Sequence, residues 1–184
     1  MPGEIDIWVF VIGDMLIFSA YFAVYLLLDR APNQALFLES QRQLSQPLGT
    51  ANTLILLTSS LFVALSVQAA RAGDVRTAAR FVGFGGALGV GFLVLKSYEW
   101  YAKVRAGYVI TSNAFFMHYY MLTSLHVAHV LVGLVFLIVI WRELRGAVEG
   151  VHVPRIALLE AGGVYWHMVD FLWILIFSLL YLVR

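Results

Sequence analysis

The sequence predicts an all-α fold, a bundle of five transmembrane helices, and three observations carry that expectation. Of 184 residues, 61% are hydrophobic and only 12% are charged, about half of the roughly 25% charge that solvates an ordinary soluble domain. The mean hydropathy is +0.85. Five stretches reach the ~20 apolar residues that carry a helix across the hydrocarbon core, and no strand-length alternation suits a β-barrel. A soluble enzyme and a disordered chain are excluded on the same composition. The net charge of +1 leaves no cationic excess for a polyanion, which excludes nucleic acid as a partner. The absence of cysteine removes disulfides, iron–sulfur clusters, thiolate metal sites and thiol catalysis together.

The spans follow in order within a single membrane domain, residues 1–184. Span one covers 7–28 and stops at Asp29-Arg30-Ala31-Pro32, where charge and proline end an apolar helix. Span two, 48–70, stops at Arg71-Ala72-Gly73-Asp74. Span three, 81–101, gives way to Lys103-Val104-Arg105, and span four, 114–141, to Arg142-Glu143-Leu144-Arg145. Span five covers 157–183. Each is apolar on most faces rather than along one stripe, which suits helices set in lipid. Trp8, Trp100, Tyr101, Trp141, Tyr165, Trp166 and Tyr181 fall near span ends, where aromatic anchors are expected. The start Met1-Pro2-Gly3-Glu4-Ile5-Asp6 is acidic, so a secretory signal is not expected. Five spans put the termini on opposite sides. Arg71, Arg76, Arg80, Arg142, Arg145 and Arg155 lie on the N-terminal side, against Arg30, Arg42, Lys103, Arg105 and Arg184 on the other. The bias places the N-terminus in the cytoplasm and the C-terminus in the periplasm.

Ionisable groups inside the spans are the informative residues, because each costs a few kcal/mol at depth unless it pairs or reaches water. They are Asp14, Lys96, Glu99, His118, His126, His129, His167 and Asp170. Three-residue spacing puts His126 and His129 on one helix face, and His167 and Asp170 on another. A carboxylate beside a histidine offsets desolvation for both, so Asp14, His126, His129, His167 and Asp170 are expected to form an intramembrane polar network. Its chemistry stays open at this point between helix–helix adhesion, a proton path, and haem ligation by His126 or His129 with His167. Lys96 and Glu99 read as an interfacial ion pair with the lysine snorkelling. Gly85 and Gly89 make a small-xxx-small packing face. Asp14 and Lys96 would also suit a small proton-coupled transporter, although no inverted repeat or pair of broken helices accompanies them.

Several runs resemble one family. Tyr165-Trp166-His167-Met168-Val169-Asp170-Phe171-Leu172-Trp173, preceded by Glu160-Ala161, is similar to the last-helix signature of subunit III of the haem–copper oxidases. His126-Val127-Ala128-His129-Val130 with Gly133 resembles that family's paired-histidine helix. Asn52-Thr53 with Ser59-Ser60, Tyr98-Glu99-Trp100, and Asp14 with Phe18 resemble further elements in the same order. The match covers all five spans and resembles the five-helix form that lacks the family's first two helices. Asp14 stands in place of the usual glutamate and Lys96 where glutamine is common. Trp8-Val9-Phe10-Val11-Ile12-Gly13-Asp14-Met15 is most similar to the accessory subunit associated with bacterial nitric oxide reductase, the NorE type. The alternative is subunit III of a cytochrome c or quinol oxidase proper.

The resemblance implies a non-catalytic subunit without haem, copper or other cofactor. Its partner would be a haem-bearing catalytic membrane subunit of the same complex, in the bacterial inner membrane. It would support that subunit's assembly, its stability or its proton and gas access. Phospholipid is the one ligand implied, but the family's lipid cleft needs the two helices missing here. A haem-binding electron carrier using His129 and His167 is the reading from another class.

Overall fold

The computed structural model describes residues 5–183, and among them every regular element is a helix. Helix α1, Ile5–Ala23, runs without a break into a π-helical segment, Val24–Arg30. Helix α2, Gln34–Arg42, is a short surface helix that the span pattern does not announce. Phe37 pins it down by packing tilted against Tyr25 and edge-on against Phe115, with ring centroids 5.6 and 5.7 Å away. Helices α3 (Gln46–Arg71), α4 (Val75–Arg105), α5 (Ala114–Val148) and α6 (Ile156–Phe177) follow, and a π-helical turn, Ser178–Leu182, extends α6. Five of these rods are long and apolar enough to cross a membrane. We call the side on which α1 starts the near side. The far side carries α2, the starts of α3 and α5, and the ends of α4 and α6.

Helices α4 and α5 outrun their apolar stretches, reaching 31 and 35 residues. At 1.5 Å per residue α5 is about 52 Å long, well beyond the ~30 Å hydrocarbon layer. A polar cap accounts for the added turns at the start of α4, and another closes the start of α5. Asp74 Oδ1 accepts from the Thr77 amide at 3.1 Å and Asn113 Oδ1 from the Phe116 amide at 3.0 Å, meeting donors that a helix start leaves unpaired. Helix α3 is closed off by Gly73, two residues past its last residue Arg71, with φ +84°. There Asp74 N–H bonds Ala69 O at 3.0 Å and Gly73 N–H bonds Ala70 O at 3.1 Å, a closure that needs left-handed backbone and so a residue without a Cβ.

Helices α3, α4, α5 and α6 form a ring in which α3 packs most extensively on α4, while α6 touches both α3 and α5. Helix α1 lies outside that ring, against α6, with its π-helical end against α5. The most apolar stretch of the last span is 61% buried and that of the first only 11%, so α6 is the centre and α1 the periphery. The Trp166 side chain fills slots in two neighbours of α6. A Cβ at Gly89 of α4 or at Gly133 of α5 would sit 2.7 Å from the Trp166 ring. Its Nε1–H donates to Ser59 Oγ at 3.1 Å, and that hydroxyl donates to Gly85 O at 2.7 Å. Gly85 faces Ser59 and Val63 of α3, whereas Gly89 faces Trp166 and Leu134. The small-residue face therefore serves three neighbouring helices within this chain, α3 at Gly85 and α5 and α6 at Gly89. Tyr165, Trp166 and Tyr181 are fully buried, and the expectation that they anchor the bundle at the membrane surface is corrected. Helix α6 is surrounded, so its aromatic ends meet glycine-lined slots and not the bilayer interface.

Candidate functional site

Lys96 and Glu99 of α4 form an ion pair, Nζ to Oε2 3.0 Å, with side chains 1% and 0% exposed. Tyr181 of α6 donates to Glu99 Oε1 at 2.6 Å, and Lys96 Nζ reaches the hydroxyls of Tyr181 and Tyr119 at 3.1 and 3.3 Å. The ammonium also lies 4.7 Å from the Tyr119 ring centroid and 5.1 Å from that of Trp173, where the ring quadrupoles attract a cation. This is an enclosed pair, which corrects the expectation of a lysine snorkelling to water. The physical reason is rotational: positions 96 and 99 face α5 and α6, so the lysine stem has no path to water.

The five residues expected in one network occupy three places. Asp14 of α1 and His129 of α5 meet at 3.1 Å through Oδ2 and Nε2. His129 Nδ1 donates to Leu125 O at 2.7 Å. A carbonyl only accepts, so the proton of that bond sits on Nδ1, and Nε2 is the nitrogen that faces the Asp14 carboxyl group. His167 of α6 turns the other way and bonds Ser60 Oγ of α3 at 2.5 Å. Asp170 lies beside the same Ser60, with Oδ1 buried and unpartnered. His126 stands alone, its two nitrogens buried without hydrogen bonds, its ring against Phe92 and Trp173 at 5.5 and 5.1 Å. Helical geometry accounts for the split. Tyr165 faces α1 and α5, touching Phe10 at 6.0 Å and Phe136 at 5.1 Å. His167, about 200° further around at 100° per residue, must face α3. His129 and His167 thus point to different helices and do not face each other as a ligand pair.

A fourth cluster escaped the sequence reading. His118 of α5 is held between Tyr21 of α1, Oη to Nδ1 2.9 Å, and Asp29 of the π-helical segment, Nε2 to Oδ2 2.8 Å. In the sequence alone Asp29 reads as a charge that ends span one. Its partner lies 89 positions away, and no local spacing announces such a pair. Next to it Arg30 clasps the end of α6, donating to Val183 O at 2.5 Å and Leu179 O at 3.4 Å. Gln46 donates to Tyr181 O at 2.9 Å. These carbonyls are ones that a helix end leaves without an intrahelical partner, and a cation suits that end of the dipole. On the near side Glu143 receives Arg155 Nε at 3.1 Å and Nη2 at 3.2 Å, with His152 at 3.3 Å. The Glu143 carboxylate holds the Arg155 guanidinium above its ordinary pKa. Arg71 is paired with Glu160, Nη2 to Oε1 2.6 Å.

Five helices long and apolar enough to cross a membrane, with polar groups paired between them, define a polytopic membrane protein. The family model for cytochrome c oxidase subunit III matches residues 4–183. Cytochrome c oxidase subunit 3 of Thermostichus vulcanus is 35% identical, the alignment covering 95% of this chain and 84% of that protein. The protein of that name from Bacillus sp. (strain PS3) is 31% identical over 95% of this chain and 83% of its own length. Subunit 3 of the cytochrome bo(3) ubiquinol oxidase of Buchnera aphidicola is 25% identical over 96% of this chain and 84% of that protein. The chain belongs to the cytochrome c oxidase subunit III family, the non-catalytic accessory subunits of haem–copper oxidases.

Proposed function

We propose that this chain packs against the haem-bearing catalytic subunit of a respiratory complex in a bacterial cytoplasmic membrane, with its N-terminus in the cytoplasm. In that place it supports assembly, stability or proton and gas access of the catalytic subunit and binds no cofactor itself. One observation carries the partner. His167 is exposed on α6, roughly 16 Å along the helix from its near-side start, with Asp170 and Ser60 beneath it. Lipid satisfies neither histidine nor carboxylate at that depth, so this α3–α6 face suits a protein neighbour. Asp14 in the run 8–15 supports the form associated with nitric oxide reductase. The relatives named above are subunits of cytochrome c and ubiquinol oxidases, and they favour the oxidase as a second reading.

The test is purification of the chain in a gentle detergent with an optical spectrum and identification of what co-purifies. A haem-bearing partner is expected, and its identity decides between nitric oxide and oxygen as acceptor. Haem retained by the lone chain after that partner is stripped away would overturn the reading. His167→Leu should release the partner while leaving the unfolding transition of the isolated chain in place. An undiminished yield of partner would remove the α3–α6 face from the interface.

A further inference from the structure

The far side carries a hollow that none of the clusters above uses. It encloses about 450 Å³ where α2 turns into α3, with Gln41, Arg42, Ser45 and Gln46 in its wall. Its hydrogen-bonding groups do not balance. The carbonyls at the end of α2 are already met: Ser40 O accepts from the Gln43 amide at 3.1 Å, Gln41 O from the Leu44 amide at 3.0 Å, and Gln43 O from Lys103 Nζ. The donors are not. Gln41 is 6% exposed, and its buried Nε2 has no partner. The first bond that closes α3 runs from Gly49 N–H to Ser45 O at 3.1 Å, and no side chain caps the amides before it. Arg42 is exposed and forms no ion pair among the described residues.

We infer that this hollow is a socket for a carboxylate carried by an extramembrane segment of a partner subunit, which rests on the reading of this chain as a subunit beside a partner. A buried donor left without an acceptor is costly. One that lies beside a cation and an uncapped helix start calls for an anion, because the helix dipole favours negative charge there and charge-assisted bonds satisfy the open donors. This chain does not supply that anion from its neighbouring acids. Asp29 meets His118, and Glu39 lines a separate hollow with Tyr108 and Asn113. Leu38, Leu44 and Pro47 complete the wall and suit the methylene stem of a side chain that ends in a carboxylate. The whole wall lies within residues 38–47, at the end of the spans, so no apolar trough leads from it toward the bilayer centre as an acyl chain would require. Charge, spare donors and an apolar rim in one hollow match an acidic side chain on a protein surface.

The test uses the complex in native membranes. Arg42→Lys puts an amine in the socket, and a water-soluble carbodiimide then condenses it with a carboxylate seated there, taking up the water as a urea. Cross-linked peptides are identified by mass. A bond between position 42 and an aspartate or glutamate of another subunit is expected, and the parent protein should lack it. Recovery of the complex without that bond, or coupling to a carboxylate of this same chain or of a lipid, would overturn the socket and leave the partner reading standing. A chain recovered alone would overturn both. The second arm measures affinity for the partner. Arg42→Gln and Gln41→Leu should each raise the dissociation constant at least about tenfold, the worth of one hydrogen bond to a charged group, without moving the unfolding transition of the isolated chain. Arg42→Glu should weaken binding further, and replacing the cross-linked acid of the partner by lysine should restore it. Unchanged affinity in these variants, or a loss that the charge swap does not rescue, would refute the inference.

Discussion

Removing Lys96 alone would leave the Glu99 carboxylate enclosed beneath Tyr181 with its counter-charge gone. Lys96→Met should therefore destabilise the isolated chain by about 3–5 kcal/mol, whereas Lys96→Met/Glu99→Leu should recover most of the loss. Denaturant titration in micelles measures both; equal losses for the single and double variants would show that the pair does not act as a unit. His126 is the opposite case, since its nitrogens already lack partners. His126→Leu removes an uncompensated polar group at similar volume and should leave stability unchanged or raise it by about 1 kcal/mol. A large loss in the same titration would mean that the ring satisfies an unseen donor. At this scale the sequence was informative about which residues are costly and poor at saying whom they meet. Asp14, His129, His167 and Asp170 could be picked out from burial cost alone. Their division between α1–α5 and α3–α6 depends on a 200° turn of α6, and Tyr21–His118–Asp29 depends on a separation of 89 to 97 positions.

Helix ends and helix crossings carry the predictions at the scale of elements. The Thr77 side chain and amide, bonded to the exposed Asp74 carboxyl, hold it below its ordinary value of 3.8. The folded form thus favours the ionised carboxylate. The stabilisation is fully present above the ordinary carboxylate range and is lost as pH falls through the depressed value. Asp74→Asn keeps an oxygen acceptor at the helix start and should remove this share of the acid sensitivity; melting curves from pH 6 to pH 2.5 would check it, and identical slopes for both proteins would refute it. At the α4–α5–α6 crossing, Gly133→Ala places a Cβ 2.7 Å from Trp166 and should cost about 1–3 kcal/mol by overpacking. Trp166→Phe in the Gly133→Ala background should recover part of it, and a loss that does not respond to Trp166 would place the strain elsewhere. The five spans were legible because twenty apolar residues admit one reading. Helix α2 was not, because nine mostly polar residues between a proline and Gln46 look like a loop until Phe37 finds Tyr25 and Phe115.

At the scale of the whole molecule, α3 to α6 form the body and α1 is an outlier fastened by side chains. Asp14 reaches His129, Tyr21 and Asp29 reach His118, and Arg30 reaches the carbonyls at the end of α6. Every one of those fasteners lies in α5 or α6. That arrangement has a consequence in time. A chain made at ~5–20 residues per second delivers His118 roughly 5–20 s after Tyr21, and Val183 comes 153 positions after Arg30. During that interval the first helix sits in the membrane with a bare aspartate at depth and no docking site. Helix α1 is therefore secured only after α5 and α6 have been made, because every one of its side-chain fasteners waits for them.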